Sequence, residues 1–175
     1  MSMTEYEIYS LWMSGVGVLL IVPGLFFAGY QIRQNTLVQR ANQIWNMKVS
    51  AQQAIAAAHE VELKMQLERE LLYISNSKRI GISVFLEKIE KNPELTAGIN
   101  HLLNVYERYA RGITQQIYDE EIIKNARGVA MIKMFDVFVE YIEYRREQDH
   151  PALYDEFENI VKKWRSEPRY LALKR

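Results

Sequence analysis

From Ile8 through Ile32 the chain carries no Asp, Glu, Lys or Arg. A run of about 25 residues, at about 1.5 Å per helical residue, reaches roughly 37 Å and can cross a hydrocarbon core of about 30 Å. Its centre, Val16 to Phe27, is almost wholly apolar apart from Gly17, Pro23 and Gly24, residues that membrane helices tolerate. Tyr9, Trp12 and Tyr30 fall near its ends, where aromatic rings favour the headgroup layer. No Gly or Pro follows between Gln31 and Gly81, and the segment is rich in Ala, Gln, Met, Leu and Glu. The pattern therefore predicts a helix that leaves the membrane and continues well beyond it.

Helical periodicity persists to the C-terminus. Leu63, Leu67, Leu71 and Ile74 share one face of a segment from Val61 to Ile74. Ser77 is placed to cap a helix carrying Ile80, Val84 and Phe85. Asn92-Pro93 is a start signal for a helix bearing Leu95, Ile99, Leu102, Leu103 and Tyr106. Asp119, Glu120 and Glu121 suit the positive end of the next helix, which runs to about Tyr144. Its wide stripe of Ile122, Ile123, Val129, Ile132, Phe135, Val139 and Ile142 predicts the most buried helix of the set. Pro151 restarts the chain for a last helix with Leu153, Phe157, Ile160, Val161 and Trp164. No strand-like alternation bounded by turns occurs. The expected fold is all-α, one N-terminal transmembrane helix continuing into a helical bundle.

Within the long first helix, one face is uncharged but polar. Gln31, Asn35, Gln39, Asn42, Asn46, Ser50 and Gln53 recur at steps of three and four. The same face traced back meets Ala28, Gly24, Ile21, Gly17, Ser14 and Ser10, nearly all small, while Leu19, Leu20, Leu25, Phe26 and Phe27 supply bulk elsewhere. Small residues let membrane helices approach closely and amides bond between them, which would make the stripe a simple oligomer contact. Alternatively, several copies ring an aqueous lumen, with Ser14, Gly17, Gly24, Ala28, Gln31, Asn35, Gln39, Asn42 and Asn46 lining it. Both readings require self-association, because one span cannot enclose a pore.

Charge sets the orientation. The tail before the run holds Glu5 and Glu7 and no base, whereas Arg33 to His59 contains Arg33, Arg40 and Lys48 and no acid. A cleaved signal peptide would want a basic start and small residues before the cut, but the start has no Lys or Arg and Tyr30-Gln31-Ile32-Arg33 offers no cleavage signal. An uncleaved single-pass anchor with its N-terminus outside and its C-terminal domain cytoplasmic is expected. The layout divides into an anchor with a short external tail over 1–34, a helical extension over 35–75 and a helical domain over 76–175.

The chain has 175 residues, no Cys, and 22 basic against 22 acidic residues. Without Cys there are no disulfides, thiol nucleophiles or Cys-ligated zinc. A formal net charge of +0 and no obvious basic stripe beyond His59 argue against strong nucleic-acid binding. There is no phosphate-binding Gly loop, no His pair at metal spacing and no nucleophile elbow, so neither a metal nor a cofactor is expected.

His59 and His101 fall within helices and lack metal-spaced partners. His150 differs, because Arg145 precedes it with four residues between. Pro151 biases His150 out of the helical region, so the helix should end between the two and let the imidazole fold back. One reading makes the pair a proton-moving His and a phosphate-stabilising Arg. The other makes Arg145 and Arg146 cations at a helix C-terminus and His150 a turn residue.

Arg145 and His150 match the loose Arg-x4–6-His signature of HEPN proteins, helical domains many of which cleave RNA without metal, usually as dimers. Together with the uncharged span and the helical remainder, the chain resembles the small membrane accessory proteins of type VI-B CRISPR loci, which carry a divergent HEPN motif. The resemblance covers the layout, and only Arg145 and His150 carry over as motif residues. It implies a HEPN-like domain, a bacterial inner-membrane location and a role in antiviral defence beside an RNA-guided RNA nuclease, its functional partner. The segments Ala28 to Thr36 and Pro151 to Tyr154 are also similar to a broad bacterial family of unknown function. The expected function is a self-associating, pore-forming membrane accessory protein; a membrane-tethered, metal-independent ribonuclease is the alternative, and a scaffold for the effector a third.

Overall fold

The computed structural model describes residues 4–58, 65 and 81–168, and within these the side chains of 8, 11, 14–22 and 84 lie outside the description. All regular structure among the described residues is α-helical: α1 (Glu5–Ala57), α2 (Ile82–Lys91), α3 (Pro93–Thr114), α4 (Glu120–Gln148) and α5 (Asp155–Arg165). The all-α expectation holds. The expected helix over Val61 to Ile74 and the Ser77 cap lie outside the described residues. The chain divides into two compact units, Met1–Trp45 and Asn46–Arg175.

In the first unit α1 runs without interruption through Pro23. Its large apolar side chains are bare: Trp12, Leu25, Phe26 and Phe27 are all exposed. Among the described residues no helix is long and apolar enough to cross a membrane. The middle of the expected span, residues 14–22, falls outside the described side chains.

The second unit buries a single core. Asn92 caps α3 by accepting from the Leu95 N–H at 3.3 Å, with Pro93 at the first helical position. Asp119 does the same for α4, accepting from the Ile122 N–H at 3.1 Å. Both starts follow the sequence signals, since a short side-chain oxygen satisfies an N–H the helix leaves orphaned. The other two helices are capped from a distance. α2 opens at Gly81 and α5 at Tyr154, neither of which offers a side-chain cap. Glu140 of α4 accepts from the Ile82 N–H at 2.9 Å, and Glu107 of α3 accepts from the Phe157 N–H at 2.9 Å. A carboxylate at a helix N-terminus is also favoured by the helix dipole.

α5 packs against α3 and α4, and α2 packs on both as well. Phe157 of α5 meets Tyr106 at 5.4 Å and Phe135 edge-on at 5.5 Å between ring centroids. Phe85 of α2 lies between Phe138 and Tyr141. Trp164 is fully buried, and its indole N–H donates to Glu120 at 2.8 Å, so its one polar atom is satisfied. Ala51 is also fully buried, which draws the C-terminal part of α1 into this core.

Two details differ from the expected burial. Val129 is 44% exposed, so the apolar stripe of α4 is narrower than its sequence suggests. The densest burial belongs to α3, where ten of 22 residues are buried against eleven of 29 in α4. Helix α4 is buried near both ends, at Ile123 and at Tyr141 and Ile142, while its flank at Val129 stays in solvent.

Candidate functional site

The polar stripe of α1 is open from Gly24 to Asn46, and Ser50 further along it is half-buried. In the first unit Gly24, Ala28, Gln31, Asn35, Gln39 and Asn42 are all exposed. In the second unit Asn46 is exposed too. Ser14 and Gly17 lie outside the described side chains. Among the described residues no hydrogen bond engages the amides of Gln31, Asn35, Gln39 or Asn42, whereas neighbouring Gln34 and Thr36 bond to Tyr30 and the Ile32 carbonyl. A Cβ added at Gly24 would meet nothing within 4 Å, so nothing among the described residues requires a glycine there. Small side chains and free amides are thus presented outward, available to water or to another molecule.

Arg145 and His150 are brought near one another in sequence at the end of α4, yet their side chains serve different partners. The Arg145 guanidinium donates to Asn100 Oδ1 at 2.8 Å and to the Tyr141 hydroxyl at 3.0 Å. Its Nε and second amino group clasp Asp149 at 2.6 and 2.5 Å. The Tyr141 hydroxyl in turn donates to Asn100 Oδ1 at 2.8 Å, which closes the network. Burial pulls the Arg145 pKa down, but the hydrogen bonds to Tyr141 and Asp149 outweigh it and hold it above the ordinary value. His150 is exposed, and its Nδ1 accepts from the Ala152 N–H at 3.1 Å. That is a local turn bond, and it fixes the imidazole over its own backbone.

Arg146 is equally occupied. It donates to the Leu153 carbonyl, Glu158 and Asp155 at 2.7, 2.7 and 2.8 Å, stapling the end of α4 to the start of α5. Tyr154 sits between, buried and left-handed at φ 62°. Burial pushes its phenol up to about 12, with the nearby Arg145 charge pulling in the opposite sense. At neutral pH this corner holds a neutral phenol, a saturated guanidinium and a turn-bound imidazole. For phosphoryl chemistry the Arg would need to release donors now given to Asn100, Tyr141 and Asp149.

His101 is exposed on α3, and His59 lies outside the described residues. Among the described residues no group of His, Asp or Glu is gathered closely enough to hold a metal ion. The sequence reading missed Asn100, Tyr141 and Tyr154. Tyr141 is legible afterwards, one helical turn before Arg145, but Asn100 reaches the network only through the packing of α3 on α4.

The chain matches a family described as a domain of unknown function, DUF4760, over residues 18–164. No curated protein and no solved structure matches it.

Proposed function

The chain belongs to this DUF4760 family, and from that premise we propose that it is a self-associating accessory protein of the bacterial inner membrane whose first helix lines an oligomeric pore. In this reading it serves an RNA-targeting CRISPR antiviral system, beside the type VI-B RNA-guided RNA nuclease, and enhances phage defence by perturbing the membrane. The anchor spans once, with the N-terminus outside and the helical domain in the cytoplasm.

One observation carries the assembly part. Within Met1–Trp45, α1 exposes two unlike surfaces that no described residue of the unit covers. One is apolar, with Leu25 68%, Phe26 78% and Phe27 62% exposed. The other runs from Gly24 and Ala28 into unpartnered amides at Gln31, Asn35, Gln39 and Asn42. Bulky apolar groups favour lipid or neighbouring helices, and a row of small and amide groups favours close helix approach or a wetted wall. The CRISPR context rests on the resemblance of layout and motif alone.

The alternative, a membrane-tethered ribonuclease using Arg145 and His150, is weakened by the three side chains that already occupy the Arg145 donors. The two readings differ in assembly. Light scattering of the detergent-solubilised full chain should give a ring of more than two subunits. A monomer or a dimer overturns the pore.

A further inference from the structure

Between the C-terminal part of α1 and the end of α3 lies a groove of about 470 Å³, within the second unit. Its walls are Ser50, Gln53, Ala54 and Ala57 from α1, Arg108 from α3, and Ile117 and Tyr118 from the turn before α4. That volume falls in the usual range of small-molecule sites, roughly 300–1,000 Å³.

The walls are fixed rather than loose. Tyr109 donates from its hydroxyl to the Ala54 carbonyl at 3.3 Å, and the Asp119 N–H donates to the Met47 carbonyl at 3.3 Å, so both flanks are tied to α1. Tyr118 lies flat over α3 because residue 112 is glycine; a Cβ there would overlap the ring. The turn itself is locked by the Ile117 and Gln116 N–H groups bonding back to Gly112 and Ile113.

Arg111, Arg145, Arg146 and Arg165 each hold a carboxylate. Arg108, by contrast, has neither a carboxylate nor a hydrogen-bonding partner among the described residues, and the Ser50 hydroxyl, the Gln53 amide and the Tyr118 hydroxyl make no hydrogen bond among them either. Four polar groups without partners among the described residues line one groove whose remaining surface, Ala54, Ala57 and Ile117, is apolar.

We infer that this groove binds a small organic phosphate of nucleoside-monophosphate size. The planar Arg108 fork matches a phosphate, which accepts two parallel N–H bonds. The Gln53 amide offers a donor and an acceptor side by side, suited to the edge of a heterocyclic base. Ile117, Ala54 and the Tyr118 ring supply apolar contact for its faces. The Ser50 hydroxyl is then available to a ribose oxygen or the phosphate. The site is independent of the assembly reading, since every wall belongs to one chain and one unit.

The test is calorimetric titration of the full chain in detergent with 5′-AMP, with adenosine and inorganic phosphate as partial ligands. Saturable 1:1 binding of AMP is expected, with each partial ligand at least about tenfold weaker, because each lacks one half of the contacts. Arg108→Gln should weaken AMP at least about tenfold by removing a charge-assisted bond. Circular dichroism of that variant should be unchanged, because Arg108 is exposed and holds no described residue that it would release. Absence of saturable AMP binding, or equal affinity in Arg108→Gln, overturns the assignment. Inorganic phosphate binding as tightly as AMP overturns the base contact.

Discussion

Arg145 and Asn100 are joined at 2.8 Å across the α3–α4 packing, and the Tyr141 hydroxyl donates to the same Asn100 oxygen. The motif arginine is thereby a structural tie between two helices, with Asp149 neutralising its charge at the helix end. Arg145→Ala should destabilise the helical domain by about 2 kcal/mol, since it strands partly buried oxygens that lose charge-assisted donors. Asn100→Ala should cost less, and the double variant less than the sum, because the two share one bond. Chemical denaturation of the four proteins measures the cycle. Labelled RNA incubated without metal should stay intact with the wild type. Cleavage that vanishes in both Arg145→Ala and His150→Ala would reinstate the nuclease.

Gln116 holds φ 57° just past the end of α3. Its N–H bonds to the Ile113 carbonyl, and the next N–H, of Ile117, bonds to Gly112, the paired bonds of a Schellman ending. A glycine usually occupies this left-handed position because it has no Cβ to strain. Gln116→Gly should therefore stabilise the domain by about 0.5–1 kcal/mol, an effect readable as a raised melting temperature. Gln116→Val should do the reverse, since a β-branched side chain fits this region worst.

Tyr154 gives the domain a pH limit on the alkaline side. Its phenol is raised from the ordinary 10 to about 12 by burial, so the unfolded chain ionises first as pH rises. The contribution is fully present below about pH 10 and is lost progressively up to about pH 12, at roughly 1.4 kcal/mol per pH unit. Wild type should lose stability faster over that window than Tyr154→Phe, which has no proton to lose. Urea midpoints at pH 9, 10 and 11 make the comparison. Parallel decline of the two proteins would show that the ring is not held neutral by the fold.

Several elements are legible in the sequence. Asn92-Pro93 declares a helix start because a cap is a local transaction between a side chain and an N–H two or three residues on. The acids Asp119 to Glu121 mark another because they suit the positive end of a helix dipole. The caps of α2 and α5 were not legible. Glu140 and Glu107 reach them across 58 and 50 residues, and no spacing rule connects such positions. The same holds for the candidate sites. The amide stripe of α1 follows from helical period alone, but exposure does not set it apart, since residues 23–46 are exposed on every face. Arg145 was singled out, but its partner Asn100 was not, and neither was the groove around Arg108. These depend on which helix packs where, and on a turn at Gln116 that carries no glycine to announce it.

The amide stripe yields the sharpest test of the pore. If Asn35 and Asn42 face water inside an assembly, replacing both by Leu makes that stretch of wall apolar and disfavours a continuous water column. Neither amide has a hydrogen-bond partner among the described residues, and both are exposed, so Asn35→Leu with Asn42→Leu removes no described intrachain bond. Helicity should even rise slightly, Leu being the better helix former. The double variant should therefore insert and stay helical while losing leak of dye or ions from cells whose RNA-guided effector has been triggered. A seam between helices predicts otherwise: Leu would still pack there, and the subunit number would change before the leak did. No leak even in wild type removes the pore and leaves the scaffold reading. Leak that survives both substitutions moves the lumen to another face of α1, away from Gly24, Ala28, Gln31 and Gln39.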